Sequence, residues 1–204
     1  TGDGSDTVTG TLDAADVVNL DAGNDTFAYQ TLAGDVRGGT GTDTITYGGV
    51  GAISLDLNVA AGAGNYSGFE DISATGASGA ITATPATAGS VINTGSGADN
   101  ITLGAGTDTV NTGGGSDTGS GALSANDAIN LGAGNDTYDY SVTAATNTID
   151  GDADSDTLVY GGGANTIDSG TAVDNITSEL GTYANFENLN AATAIGALTV
   201  TAAT

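Results

Sequence analysis

One pattern, Gly-x-Gly-x-Asp-x-apolar, returns along this chain at intervals of nine residues, and a period that short leaves few folds open. It reads GDGSDTV from Gly2 to Val8, GTGTDTI from Gly39 to Ile45, GSGADNI from Gly95 to Ile101, GAGTDTV from Gly104 to Val110 and GAGNDTY from Gly132 to Tyr138. GGGSDTG, from Gly113 to Gly119, keeps the turn residues but lacks the apolar one. DAGNDTF (Asp21 to Phe27) and DADSDTL (Asp152 to Leu158) put Asp21, Asp152 and Asp154 where other copies have glycine, and two weaker units centre on Asp16 and Asp127. Between the turns lie TVTG, TFAY, TITY, NITL, TVNT, TYDY and TLVY, short alternating segments rich in Thr, Val, Ile and Tyr. Such residues favour strands whose faces alternate inward and outward. One nonapeptide thus encodes a glycine turn and a short strand, and two nonapeptides, eighteen residues, make one coil of an all-β, parallel β-roll or β-solenoid.

A longer period of 111 to 117 residues is superimposed on the short one. It pairs Asp6 with Asp117, Asp16 with Asp127, Asp25 with Asp136 and Asp43 with Asp156, and it aligns NYSGFEDIS (Asn65 to Ser73) with TYANFENLN (Thr182 to Asn190). The chain therefore reads as a tandem duplication. Residues 1–93 form the first unit, with the glycine–aspartate turns in 1–47 and strands in 48–93; residues 94–204 form the second, with turns in 94–160 and strands in 161–204. The strand-rich parts keep alternation in GAISLDLNV, AITAT, NTID, DNIT and ALTVTAA, so the solenoid is expected to run on through them, with a break at Pro85.

Charge decides what the turns are for. Twenty-five acidic side chains face a single basic one, Arg37, for a net charge of −24. Self-repulsion of that size opposes compaction, and an unpaired carboxylate in a dry interior costs several kcal/mol, so a cation from outside the chain is implied. The same imbalance excludes nucleic acid as a partner, since phosphate binding needs Lys and Arg. Cys and His are absent, which leaves oxygen as the ligand chemistry; clustered carboxylates with glycine turns suit several Ca²⁺ ions better than Mg²⁺.

The spacing explains how. Glycine reaches the positive φ values that turn successive carbonyls inward, and the aspartate two residues on adds a carboxylate while the next apolar residue anchors the loop. The carbonyl donors expected are the turns containing Gly2 and Gly4, Gly23, Gly39 and Gly41, Gly95 and Gly97, Gly104 and Gly106, Gly113 and Gly115, and Gly132 and Gly134. The carboxylates are Asp6, Asp16, Asp25, Asp43, Asp99, Asp108, Asp117, Asp127, Asp136 and Asp156, with Asp21, Asp152 and Asp154 as additional ligands or as distortions of the turn. One turn supplies half a shell. The other half comes from the turn one coil away, about 4.8 Å distant, which couples Asp25 with Asp43, Asp99 with Asp117, Asp117 with Asp136 and, on the opposite edge, Asp108 with Asp127. Folding and calcium binding then become one event.

These residues resemble the RTX nonapeptide repeat, GGxGxDxUx with U apolar, of secreted toxins, proteases, lipases, adhesins and surface-layer proteins. GGTGTDTIT, Gly38 to Thr46, fits it at every position, whereas Thr or Leu replaces the first glycine in several other copies. The F-E-[DN]-[IL] segments at Phe69 and Phe186 are similar to those of bacterial surface-layer and giant adhesin proteins. The resemblance implies export of an unfolded chain that folds on meeting calcium outside a bacterial cell.

Plain glycine and aspartate turns without metal, or low-complexity disorder, are the simpler readings; the nine-residue register from Asp99 to Asp117 argues against the first, and the second is expected when calcium is withheld. Tyr29, Tyr47, Tyr138, Tyr140 and Tyr160 are expected to pack as core or caps rather than as a sugar-binding stripe. Glu70 and Glu187 are expected to hydrogen bond structurally, since neither has a partner acid, and no catalytic residue is assigned. Arg37 is expected to neutralise nearby aspartates.

A surface layer, sheath or extracellular filament is the expected role. The alternatives are a spacer or ligand-binding module of a large adhesin, including an ice-binding one, and the calcium-binding tail of a secreted enzyme. Self-association into an array or membership of a longer repetitive chain is expected, with a cell-surface glycan as a further partner and no transmembrane segment.

Overall fold

The computed structural model describes residues 1–13, 15–30, 34–60, 66–140, 147–160, 165–169, 176–178, 181–192 and 198–202. Among them there is no helix; the chain forms an all-β solenoid of short strands stacked in parallel. The largest sheet runs in the order Thr7–Val8, Thr26–Ala28, Thr44–Thr46, Asp71–Ser73, Val91–Asn93, Thr109–Asn111, Ala128–Asn130, Asn147–Asp150 and Gly181–Ala184, then through Ile176–Ser178, Asn165–Ser169 and Leu198–Ala202. A seven-stranded sheet joins Ile53–Asp56, Ile81–Thr84, Asn100–Leu103, Thr118–Gly121, Thr137–Tyr140, Thr157–Tyr160 and Asn188–Asn190. Val17–Asn19, Asp35–Arg37 and Tyr66–Ser67 form a third, of three strands.

Register follows the nonapeptide. Thr26 pairs with Thr44, Val91 with Thr109 and Asn100 with Thr118, each eighteen residues apart, and single-residue insertions stretch other coils to nineteen or twenty. Both strand-rich stretches hold coils without the turn motif. Thr44 pairs with Asp71 and Ile53 with Ile81, so the solenoid continues through residues 48–92, and it absorbs the extra chain as a longer excursion between rungs. Pro85 falls immediately after Ile81–Thr84, and its carbonyl accepts a hydrogen bond from Asn58 Nδ2 at 2.6 Å.

One segment departs from parallel stacking. Ile176–Ser178 runs antiparallel to both Asn165–Ser169 and Gly181–Ala184. Only residues 179–180 separate it from the latter, a connection long enough for a hairpin and too short for a parallel crossover.

Alternation places one residue of each rung inside. On the large sheet Phe27, Ile45, Ile72, Ile92, Val110, Ile129 and Ile149 occupy consecutive rungs and are all buried. The seven-stranded sheet answers with Leu55, Ala83, Ile101, Gly119, Tyr138 and Leu158. Gly119 is the apolar position that its nonapeptide lacks, and the reason lies one rung on. The Tyr138 ring lies directly over Gly119, where any Cβ would collide with it. Small and large residues thus alternate to keep the core filled. Tyr140 and Tyr160 stack with centroids 5.6 Å apart and are buried; Tyr29 and Tyr47 meet edge to face at 5.4 Å and are partly buried.

The first position of the nonapeptide also faces inward. Leu20, Thr94, Leu103, Thr112 and Leu131 stand there in place of the consensus glycine, and all five are buried. Thr94 Oγ1 donates to the Thr112 carbonyl at 2.8 Å, and Thr112 Oγ1 to that of Leu131. What looks like loosening of the motif is core packing.

Candidate metal centre

Each turn residue of the nonapeptide stacks on its counterpart one coil away. The Gly23 N–H donates to the Thr40 carbonyl at 2.9 Å, Thr40 to Asp21 at 2.8 Å, Gly115 to Ala133 at 2.9 Å and Ala133 to Gly113 at 2.9 Å. Positive φ at Gly39 (119°), Gly41 (134°), Gly113 (91°), Gly115 (130°), Gly132 (84°) and Gly134 (145°) makes this possible. A Cβ at Gly41 would overlap the Gly23 carbonyl oxygen, and one at Gly134 would overlap that of Gly115, so glycine is required for the column of carbonyls to close up. Gly2, Gly4 and Gly106 at the same turn positions also take positive φ, and Gly106 packs against Gly89; Gly95, Gly97 and Gly104 do not, contrary to expectation, and there glycine serves close approach instead, Gly95 to the Ala77 carbonyl and Gly97 to that of Gly79, while Gly104 has no such neighbour. Asp21, Asp152 and Asp154 take glycine-like φ values of 76°, 71° and 86° and are exposed, so they preserve the turn rather than distort it.

The aspartates line up in two ladders. Along the large sheet the Asp6 N–H donates to Asp25 Oδ1 at 2.8 Å, and the Asp25 N–H to Asp43 Oδ1 at 2.8 Å. After an interruption the ladder resumes as Ser90 to Asp108 at 2.9 Å, Asp108 to Asp127 at 2.8 Å and Asp127 to Asn147 at 3.1 Å. Along the seven-stranded sheet Ile81 donates to Asp99 at 2.7 Å, Asp99 to Asp117 at 2.7 Å, Asp117 to Asp136 at 2.7 Å and Asp136 to Asp156 at 2.8 Å. The intervals are 18 to 20 residues, one coil each. Asp6, Asp25 and Asp43 lead into the large sheet, whereas their partners in the long period, Asp117, Asp136 and Asp156, lead into the other.

Each carboxylate but that of Asp6, the first in its ladder, therefore spends one oxygen on the backbone of the preceding coil. The other oxygen is the informative one. Asp25, Asp43, Asp99, Asp108, Asp117, Asp136 and Asp156 are at most 2% exposed, and in all seven Oδ2 is buried without a hydrogen-bond partner. A buried, unsatisfied charged oxygen is among the costliest groups a fold can hold. Burial is the main reason that the carboxyls of Asp43, Asp99, Asp108, Asp117, Asp136 and Asp156 are held above their ordinary range. Asp136 is pushed up to about 7, with the charges of Asp117, Asp156 and Asp154 adding to burial. Asp108 rises to about 6, helped by Asp127, and Asp156 to about 6, helped by Glu187, Asp154 and Asp152. Asp43, Asp99 and Asp117 shift in the same direction, again chiefly through burial.

Asp16 and Asp127 differ from these seven. Their Oδ2 atoms accept the N–H groups of Asp13 at 2.7 Å and Ser124 at 2.6 Å, within their own tight turns. These two units lack the Gly-x-Gly loop, and a shorter turn lets the carboxylate fold back on its own backbone.

The ladders also take in residues that the nonapeptide pattern does not mark. Glu70 Oε2 accepts the Asp43 N–H at 2.8 Å and Glu187 Oε2 the Asp156 N–H at 2.6 Å, so a glutamate ends the Asp6–Asp25–Asp43 series and another ends the series along the seven-stranded sheet, whereas Asn147 ends the Asp108–Asp127 series. Asn24 and Asn135, just before Asp25 and Asp136, accept the N–H groups of Thr42 at 3.0 Å and Ser155 at 3.1 Å in the next turn. Arg37 forms an ion pair with Asp35.

A hard cation fits this donor set. Among the described residues no three acidic side chains converge on one point, so an ion in these turns draws its other ligands from stacked carbonyls and water. That mixture of carboxylate, carbonyl and water oxygens is what Ca²⁺ takes. A family model described as the RTX calcium-binding nonapeptide repeat (4 copies) matches residues 87–118, 122–140 and 142–176. These residues carry RTX-type calcium-binding repeats. The turns at Asp21 to Asp25 and Gly38 to Asp43 lie outside the matched residues, yet they repeat the same ladder and carbonyl stack, so the β-roll itself extends into the first half of the chain. Neither a curated protein nor a solved structure matches it.

Proposed function

We propose that this β-roll is a calcium-folded structural module of the cell exterior, part of a surface layer, sheath or filament. The observation that carries the reading is the set of seven buried carboxylates, each with one unpartnered oxygen, distributed over the two ladders. Without a cation these charges push neighbouring coils apart; with one held between each pair, the repulsion becomes a staple along the rod axis. Extracellular calcium is abundant enough to fill sites of modest affinity, whereas cytosolic calcium is not, which supports a role outside the cell.

The backbone supports a mechanical role as well. Parallel rungs run from Thr7–Val8 to Gly181–Ala184 in one sheet, so stiffness is transmitted along the stack. Glu70 and Glu187, the acids that a catalytic reading would need, each accept a main-chain N–H at the end of a ladder.

Electron microscopy and light scattering after calcium addition test the proposal. Ordered sheets or fibres that dissolve in chelator are expected. Extended particles that remain monomeric in saturating calcium would overturn the array and leave the adhesin spacer.

A further inference from the structure

The two glutamates that end the ladders stand in a setting that occurs twice and differs from the nonapeptide turn. In each copy a buried phenylalanine, Phe69 or Phe186, precedes the glutamate and anchors it. One residue earlier, Gly68 and Asn185 adopt left-handed φ values of 65° and 55°, a conformation that an asparagine takes at some cost. The turn between Gly68 and Glu70 holds a single residue, whereas Gly38 and Asp43 enclose four. An aspartate in that short turn would fall short of the preceding coil; the extra methylene of Glu70 reaches the Asp43 N–H.

The first nonapeptide position supplies the second, independent observation. Five other copies carry a buried Leu or Thr there, but the copies facing the two glutamates carry Gly38 and Gly151. A Cβ on Gly38 would collide with the Gly68 carbonyl and come within 2.5 Å of Asp43 Oδ2. A Cβ on Gly151 would collide with the Asn185 carbonyl and come within 2.6 Å of Asp156 Oδ2. Both aspartates are fully buried, with Oδ2 unpartnered. The absence of a side chain at each glycine thus lets a carboxylate oxygen and a carbonyl oxygen converge on one another, and the glutamate carboxylate is hydrogen bonded to the main chain of the same aspartate.

We propose that Asp43, the Gly68 carbonyl and Glu70 form a terminal calcium site of a second type, repeated as Asp156, the Asn185 carbonyl and Glu187. Two carboxylates and one carbonyl from the protein, completed by water on the side where Glu187 is exposed, suit the irregular oxygen shell of Ca²⁺. A cation also relieves the facing of two like charges with no basic group between them. The site closes these two aspartate series without a Gly-x-Gly loop on its outer side.

The inference rests on calcium binding by the turns, and ion counting separates the two claims. Glu70→Gln and Glu187→Gln keep an oxygen to accept the N–H and remove the charge. Native mass spectrometry and calorimetric titration of the full chain should show each variant binding one Ca²⁺ fewer than wild type, and the double variant two fewer. Unchanged counts would reduce the glutamates to hydrogen-bonding caps and overturn the inference while leaving the nonapeptide sites intact. A wild-type chain that binds no calcium would overturn both. Anomalous diffraction from wild-type crystals grown in calcium decides the matter independently of how the variants fold: a peak bridging Glu70 and Asp43 is expected, and its absence refutes the site.

Discussion

Removing calcium should make the folding of this chain depend on acid. Asp136 moves from 3.8 to about 7 on folding, and Asp108 and Asp156 from 3.8 to about 6. At 1.36 kcal/mol per pKa unit each of these shifts disfavours the folded, ionised chain by a few kcal/mol at neutral pH, a large fraction of the whole stability of an ordinary domain; because Asp136 and Asp156 share part of the same repulsion, the contributions do not simply add. The sign is fixed by linkage. A carboxyl whose pKa rises on folding supports the fold while protonated, so the contribution is complete below about pH 4 and is lost as pH climbs to about 7. In calcium-free buffer the far-ultraviolet circular dichroism should therefore change from coil near neutrality to strand near pH 4. Screening of the overall charge pushes the same way, so a control is needed. The triple variant Asp108→Asn, Asp136→Asn, Asp156→Asn retains the N–H acceptors, as Asn147 already does at its rung, and should shift the transition toward neutral pH. A chain that stays unstructured at pH 4, or a triple variant with an unaltered transition, would refute the reasoning.

Three further outcomes follow from the packing and the turns. Gly119→Leu forces a side chain into the Tyr138 ring and should destabilise the calcium-loaded protein by about 1 to 3 kcal/mol in urea denaturation. Tyr138→Phe removes a buried hydroxyl that has no partner and should be neutral or raise stability by about 1 kcal/mol. Gly134→Ala, at φ 145° and against the Gly115 carbonyl, should lower both calcium affinity and the midpoint of thermal unfolding in calcium, whereas the exposed Asp152→Gly should leave the midpoint nearly unchanged.

The turn spacing made the solenoid legible, because a nine-residue period of glycine, aspartate and an apolar residue sets a turn and a short strand in every repeat and leaves few other folds open. It also gave the coil-to-coil partners, Asp25 with Asp43 and Asp108 with Asp127, which the structure brings to adjacent rungs. What the pattern hid depends on register. That each aspartate also caps the preceding coil's N–H could not be read from side-chain types, since the donors are main-chain groups whose positions only the stack defines. Leu20 and Leu131 look like departures from a glycine consensus until the coil shows that position facing the core. The missing apolar residue at Gly119 makes sense only with Tyr138 above it. The short connection that makes Ile176–Ser178 antiparallel breaks the parallel order without any turn motif to announce it. Asn65 and Asn175, two of the five asparagines in Asn-x-Ser/Thr triplets, lie outside the described residues; Asn24 and Asn135 are engaged in coil-to-coil hydrogen bonds.

Calcium as the agent that holds the coils together is the central claim, and a calcium titration at neutral pH, starting from chelated protein and followed by circular dichroism with magnesium as the control ion, tests it most directly. A cooperative change from coil to strand with calcium, and none with magnesium at the same concentration, is the predicted result; a full strand signal already present in chelator at neutral pH would contradict it.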